Sequence, residues 1–309
     1  MSRITNNIMI NDFMKNYNRS NKNMNKIMNQ LSTGKKFSQV SEAPIESIRA
    51  MKYGTTIEFN ERYQENVENG IDWLEITDQA LDDANNTLRR ARDLAVQGAT
   101  ESSTQEDRDK IRQEIDEIKE HLVQIGNTTF SDRHVFSGTK TRTAPYVEEA
   151  ENDNYYNEEL GDVEDEDFEI TGNVMREIGE GVHMSINITG SEVGFNEIFQ
   201  TLDQLSGALD KEAGDDATEL IQESLGEIDE HIEDVLSARG RVGAQMNRLE
   251  MTSNRLDGRK ISYTKLLSDA EDVDVAKAIT DLKQEENAYR ASLNVGARLM
   301  DVSLVDFLR

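Results

Sequence analysis

The stretch from Ile221 to Leu267, IQESLGEIDEHIEDVLSARGRVGAQMNRLEMTSNRLDGRKISYTKLL, decides the fold of this chain. A mostly apolar row recurs in it at alternating steps of four and three residues: Ile221, Leu225, Ile228, Ile232, Val235, Arg239, Val242, Met246, Leu249, Ser253, Leu256, Lys260, Tyr263 and Leu267. A 3.5-residue repeat held this long stays on one side of a helix only if the helix supercoils against partners. We therefore predict one helix, roughly 70 Å long at 1.5 Å per residue, buried along this row.

The composition of the chain also favours a thin helical bundle. Of the 309 residues 36% are hydrophobic, 6% aromatic and 31% charged, the mean hydropathy is -0.70, and there are two prolines. This suits long helices better than a thick globular core. No segment approaches the ~18 apolar residues of a membrane helix, so we predict no membrane insertion. No secretory signal is visible either.

The charge of the chain limits its partners. The formal net charge of -27 disfavours nucleic acid, because its phosphates would be repelled. Residues 1–40 nevertheless carry seven basic residues and one acidic residue, whereas residues 271–309 have a net charge of -3. The two ends are therefore expected to attract one another.

Both ends of the chain carry apolar rows with the same steps of four and three residues. Nine asparagines in residues 1–31 make that segment a poor helix on its own, so it should form against a partner. The last helix is apolar up to its final turn, and such ends suggest that something else buries them. The residues predicted to be buried on assembly are Phe13, Tyr17, Met24, Ile27, Leu31, Leu282, Tyr289, Leu293, Met300 and Phe307.

These patterns predict a mainly α fold: a long, coiled-coil-like bundle built from the N- and C-terminal halves, with a small β-rich insert in the middle. Residues 45–140 and 195–270 would form the bundle core. Residues 1–44 and 271–309 would form a terminal assembly coil that is disordered in the free monomer. The outward insert, 141–194, has fifteen acidic and two basic residues. Its segments Phe168–Gly172 and Val182–Gly190 alternate as strands do.

No catalytic constellation, cofactor motif or metal site is predicted. The four histidines form no H-E-x-x-H, no serine lies in a G-x-S-x-G elbow, and cysteine is absent. The acidic run 148–169 is interpreted as a solvated loop, with calcium binding as an alternative that lacks the usual loop spacing. For Arg239–Gly243 two readings stay open: close helix approach at the glycines together with pairing of the arginines with acids on a neighbouring helix, or a tolerated thin spot in the bundle.

Several segments resemble the flagellin superfamily. They are Gln30–Lys36 (QLSTGKK), Ser41–Pro44 (SEAP), Arg90–Gln97 (RARDLAVQ), Val242–Glu250 (VGAQMNRLE) and the closing Ala291–Leu308. Asp132–Thr141 (DRHVFSGTKT), with Pro145-Tyr146 behind it, is similar within that superfamily to the hook-associated protein 3 family, the hook–filament junction proteins.

The resemblance implies a non-enzymatic structural subunit of the bacterial flagellum. Such a chain is exported by the flagellar type III system, and is cytoplasmic only before export. It would assemble with its own copies, hook-associated protein 1 and flagellin subunits, after an export chaperone has bound its C-terminal helix. Two alternatives stay open, a filament flagellin and a calcium-dependent surface adhesin or binding module.

Overall fold

A computed structural model describes residues 2–100, 104–151, 154–160, 169–210 and 217–307, with side chains described between 8 and 297 except at 148–151 and 158. The predicted mainly α fold with small β pieces is confirmed. The helices are α1 (Ser2–Thr33), α2 (Pro44–Gly98), α3 (Gln105–Gly126), α4 (Gly190–Val193), α5 (Phe195–Leu209), α6 (Ala217–Glu271) and α7 (Val275–Phe307). The strands are β1 (Thr129–Phe130), β2 (Arg133–His134), β3 (Tyr146–Glu151), β4 (Asn154–Tyr156), β5 (Met175–Gly179) and β6 (Val182–Ser185).

The stretch that decides the fold lies within the single helix α6, as predicted. Every residue of the predicted row is buried or half-buried, and Ile221, Val235 and Leu249 are fully buried. The burial alternates at the same four- and three-residue steps as the sequence, because these positions share one face of the helix.

The chain forms two compact units. Unit 1 consists of Met1–Phe59 and Gly258–Arg309, and unit 2 consists of Asn60–Asp257. Helices α2 and α6 each contribute a segment to both units. The predicted assembly coil, 1–44 and 271–309, falls within unit 1, and its disorder in the free monomer stays a prediction.

Unit 2 is built on the antiparallel packing of α2 against α6. The Asn60 side chain donates from Nδ2 to the carbonyl oxygen of Leu256 at 2.8 Å. At the other end Arg92 binds Asp229. Between them the apolar side chains of both helices form one core with those of α3 and α5.

The capping of α3 is encoded locally. The hydroxyl of Thr104 accepts from the backbone N–H of Asp107, and the Asp107 carboxylate accepts from the backbone of Thr104, which makes a capping box. The isoleucine and leucine positions of this helix are buried, as their spacing predicts.

The insert consists of short antiparallel hairpins, β3 with β4 and β5 with β6. Of the strand predicted over Val182–Gly190, the part Val182–Ser185 is confirmed as β6, whereas the described part of Phe168–Gly172 forms no strand. Instead, the Asn187 amide binds the N–H of Val174 at 2.7 Å and the carbonyl of Gly172 at 3.1 Å. A side chain thereby takes the place of a neighbouring strand. Residues 161–168 of the acidic run lie outside the described residues.

Aromatic packing holds the insert on α3 and α5. The Tyr146 ring lies 5.2 Å from that of Phe199 and 5.7 Å from that of Phe195. Tyr155 donates to Asp203, which also binds Lys119 at 2.7 Å. Burial, followed by the hydrogen bond to Asp203, raises the pKa of Tyr155 to about 12. The insert therefore shares the hydrophobic core of unit 2.

Candidate functional site

The terminal helices α1 and α7 pack against each other in unit 1. Their contacts join Phe13 to Gly296, Tyr17 to Tyr289 and Ser20 to Glu285, so the two helices run antiparallel. The sequence reasoning selected apolar stripes on both helices, and the structure brings these stripes together.

An aromatic ladder forms one part of this pair. The Phe13 and Tyr17 rings lie 6.1 Å apart and the Tyr17 and Tyr289 rings 5.3 Å apart, measured between centroids. The two tyrosine hydroxyl oxygens are 3.1 Å apart, within hydrogen-bond distance. This hydrogen bond, more than desolvation, raises the pKa of Tyr289 above its ordinary value.

A polar clamp lies about one turn further along. Ser20, which is buried, donates from its hydroxyl to Glu285 at 2.8 Å, and Asn23 donates from Nδ2 to the other carboxylate oxygen at 3.0 Å. Both oxygens of one carboxylate are thus used to hold α1. Sequence reasoning missed this clamp because Glu285 lies beside the apolar row rather than on it.

The turn after α1 is pinned to the end of α6. The backbone N–H of Val273 donates to the carbonyl of Gly34 at 2.9 Å, and that of Lys36 donates to the carbonyl of Glu271 at 2.6 Å. Lys35 pairs with the Glu271 carboxylate, and the Lys36 ammonium donates to the carbonyl of Asp269. The basic end of the chain therefore contacts the acidic turn before α7.

The pair leaves its apolar residues only partly covered. Of the ten predicted assembly residues, Leu293 is 44% exposed, while Met300 and Phe307 lie outside the described side chains. The other seven are half-buried: Phe13, Tyr17, Met24, Ile27, Leu31, Leu282 and Tyr289. Whether they become buried on assembly stays a prediction.

Exposed apolar side chains are concentrated in unit 1. Among the described side chains, 21 large apolar ones are exposed, and 15 of these belong to unit 1, which holds about a third of the chain. Several were not among the predicted assembly residues: Ile8, Met9, Met14, Met28, Ile45, Ile48, Met51, Ile261 and Val295. The spacing of Ile45, Ile48 and Met51 signals one helix face, but only the structure shows that this face is uncovered.

Arg239 decides between the two readings of the glycine-containing stretch. Its guanidinium binds Asp78 through Nε at 3.1 Å and Asp82 through Nη1 at 2.5 Å, both on α2. Alanine side chains at Gly240 and Gly243 would meet no heavy atom within 4 Å. The stretch therefore pairs with acids on a neighbouring helix, and the glycines do not serve a close helix approach.

The segment Asp132–Thr141 connects the helices to the insert. After the β1–β2 hairpin, Val135 to Gly138 are buried, and the backbone N–H of Gly190 donates to the carbonyl of Phe136 at 2.8 Å. Gly138 has a φ of 58°, and a Cβ there would lie 2.5 Å from the carbonyl oxygen of Thr171. Only glycine fits this position without displacing the backbone.

The described residues contain no group of three or more histidine, aspartate or glutamate side chains placed to hold a metal ion. Within the same residues, no helix is both long enough and apolar enough to cross a membrane. His231 is half-buried, and desolvation lowers its pKa, while its Nε2 lies 3.0 Å from the hydroxyl oxygen of Thr201.

Known proteins resemble this chain over most of its length. Hook-associated protein 3 of Escherichia coli K12 is 24% identical over 290 residues, which cover 89% of this chain and 90% of that protein. A flagellin of Bacillus subtilis 168 is 26% identical over 302 residues, covering 94% and 93%. The structure of hook associated protein-3 from Legionella pneumophila is 16% identical with a TM-score of 0.61, covering 71% of this chain and 98% of that one.

Family models match both ends of the chain. The N-terminal helical region of bacterial flagellin matches residues 4–141, and the C-terminal helical region matches residues 225–308. These two matches span most of the chain, including all the helices that form unit 1. This chain therefore belongs to the bacterial flagellin family.

Proposed function

We propose that this protein is a structural subunit that joins the flagellar hook to the filament by polymerising between them. One observation carries the proposal: unit 1 combines a half-buried terminal helix pair with most of the exposed apolar side chains of the described chain. Likeness to hook-associated protein 3 proteins supports the junction role in particular.

Hydrophobic burial supplies the driving force for assembly. Covering an exposed leucine, isoleucine or methionine side chain contributes roughly 1.5–3 kcal/mol. This contribution is absent in the monomer and arises when another subunit covers the side chain. Contacts between different faces of successive subunits close into a ring when the rotation allows it.

The proposed partners are copies of this chain, hook-associated protein 1 on the hook side and flagellin on the filament side. Before export, a chaperone would cover the exposed apolar residues of α7, such as Ile279 and Leu293. The protein would leave the cell through the flagellar type III channel and would be cytoplasmic only until then. Its place would be outside the cell, at the distal end of the hook.

We also propose that the protein has no catalytic activity. Its main charged contacts have structural roles: Arg239 joins α2 to α6, and Lys119 of α3 pairs with Asp203 of α5 beneath the Tyr155 ring of the insert. Family membership favours the same conclusion, since flagellins are structural subunits.

A filament flagellin is the second candidate function. It is favoured by the flagellin of Bacillus subtilis, which matches 94% of this chain. Purified subunits separate the two functions, because a filament flagellin forms long self-filaments, whereas a junction subunit forms short or capped oligomers. A calcium-dependent adhesin would instead show strong calcium uptake and stabilisation of the insert in calorimetry.

Truncation tests the proposal directly. Removing residues 1–31 or 282–309 should leave a helical monomer with an intact unit 2, as measured by circular dichroism and urea unfolding, that no longer binds isolated hooks. Labelled full-length protein should appear as one narrow band at the distal end of the hook. If either truncation unfolds the whole protein, the terminal helices belong to the monomer's own core. Label distributed along the filament would identify a flagellin.

A further inference from the structure

Gly296 is the only glycine of α7, and it is buried beneath an aromatic ring of α1. A Cβ at this position would lie within 3.0 Å of Phe13 atoms Cε1, Cε2 and Cζ. Real Cβ atoms do not approach other heavy atoms so closely. The ring therefore occupies the space that any other residue would fill with its own side chain.

Glycine in the middle of a helix carries a cost of about 1 kcal/mol relative to alanine. Alanine at position 54 of α2, by contrast, would meet no heavy atom within 4 Å. The glycine at 296 thus accommodates a specific close contact between two helices that are otherwise only half-buried.

We propose that the Phe13 ring on Gly296 is the steric key that fixes the axial register of α1 on α7. A slip of one helical turn moves α1 by about 5.4 Å. The apolar stripes tolerate such a slip, because they repeat at nearly the same interval. The ring does not tolerate it, since no other residue of α7 lacks a Cβ.

The register determines which other contacts can form. With Phe13 on Gly296, the hydroxyl of Tyr17 reaches Tyr289 and both oxygens of Glu285 are used by Ser20 and Asn23. A slipped pair would leave these polar groups without those partners. It would also present a different set of apolar side chains to a neighbouring subunit, and this consequence for assembly rests on the proposed function.

Cysteine cross-linking can measure the register, because the chain contains no native cysteine. Ser20→Cys is combined in turn with a cysteine at Asp281, Glu285 or Tyr289, positions about one turn apart on α7. A short thiol-reactive cross-linker is added to the full-length protein. Because the Ser20 hydroxyl oxygen lies 2.8 Å from the Glu285 carboxylate, we expect the Glu285 pair to react about tenfold faster than the other two pairs.

The role of the Phe13 ring is then tested by adding Gly296→Ala to each of the three cysteine pairs. The relative cross-linking rates of the three pairs form the cross-linking profile. This variant should reduce the preference for the Glu285 pair to about twofold or less, because the added methyl group displaces the ring. In a Phe13→Ala background, the same glycine replacement should change the profile hardly at all, since the coupling between the two positions is lost. Gly54→Ala is the matched control, and it should leave the profile unchanged.

Three results would overturn the inference. They are an unchanged profile in Gly296→Ala, an equal effect of this replacement with and without Phe13, and a parent protein that shows no preference for the Glu285 pair. Far-UV circular dichroism checks that every variant keeps the helix content of the parent, because all the substituted positions lie in unit 1. Hook binding is measured separately: a protein with the expected register that fails to bind hooks argues against the junction role and leaves the register key intact.

Discussion

The hydroxyl oxygens of Tyr17 and Tyr289 lie 3.1 Å apart, which joins the first and last helices of the chain across 272 residues of sequence. The two rings are also packed, with centroids 5.3 Å apart. This contact lies between the Phe13–Gly296 contact and the Glu285 clamp. The terminal pair is thus held by a few specific contacts rather than by a fully buried core.

The tyrosine pair predicts a dependence on alkaline pH. The hydrogen bond with Tyr17 raises the pKa of Tyr289 above its ordinary value, so the folded pair holds its proton more tightly than the unfolded chain. Its contribution to stability is complete below about pH 10 and is lost as pH rises through the raised pKa. The protection factor of the α1 amides, which is their intrinsic exchange rate at each pH divided by the observed rate, should therefore fall over this range. Tyr289→Phe should abolish the pH dependence, and an unchanged dependence in this variant would refute the role of the pair.

Uncovered apolar residues of unit 1 should affect assembly without affecting folding. Ile45 is 65% exposed and Ile48 is 62% exposed, on one face of α2. Replacing both with serine should change the stability of the monomer by no more than about 0.5 kcal/mol per site. Hook binding should fall at least about tenfold, because each lost contact removes roughly 1.5–3 kcal/mol of burial. Hook binding equal to that of the parent would exclude this face from the interface.

Leu249 should be essential for unit 2. It is fully buried in α6 and packs closely against Gly70 of α2. A Cβ added at Gly70 would lie 3.1 Å from Cδ1 of Leu249 and 3.1 Å from Cγ2 of Ile186. Leu249→Ala should reduce the free energy of unfolding by about 2–5 kcal/mol through lost burial and a new cavity. Met251→Ala, at a 65% exposed position two residues away, should change it by less than about 0.5 kcal/mol. Urea unfolding measures both, and equal effects would contradict the predicted face of α6.

The Arg239 pairing with Asp78 and Asp82 should contribute modestly to stability. All three side chains are partly exposed to solvent, so screening weakens their attraction. Arg239→Ala should reduce the free energy of unfolding by about 1 kcal/mol, more than a typical surface pair because one guanidinium serves two carboxylates. The loss should shrink in high salt. Arg248→Ala, at an exposed position on the same helix, serves as the control. A salt-independent loss would point to packing instead of charge.

Much of the fold could be predicted from the sequence because the buried face of a helix shows as apolar residues that recur every three or four positions. The α6 row and the buried isoleucines of α3 follow this periodicity directly. The strand at Val182 was recognisable from alternation. The alternation of Phe168–Gly172 predicted a strand wrongly, because side chains supply hydrogen bonds there: Ile170 donates its N–H to the Ser191 hydroxyl, and the Asn187 amide binds the carbonyl of Gly172.

The candidate interface could be predicted only in part. Periodicity selected Tyr17 and Tyr289 as stripe residues, but it could not show that their hydroxyl groups meet. Glu285 lies off the apolar row, and Gly296 falls on that row but has no side chain that would indicate its contact with Phe13. Their roles depend on which residue of α1 faces which residue of α7, and a repeat of 3.5 residues permits several registers.

Hydrogen exchange tests the central claim most directly, namely that the terminal helices form surfaces completed by other subunits. In dilute monomer, the amides of α1 and α7 should be only weakly protected, because the pair forms but opens often, while those of α2 and α6 within unit 2 stay strongly protected. Incorporation of the subunit at isolated hooks should then protect both terminal helices. Deep protection of α1 and α7 in the dilute monomer, independent of protein concentration, would contradict the claim.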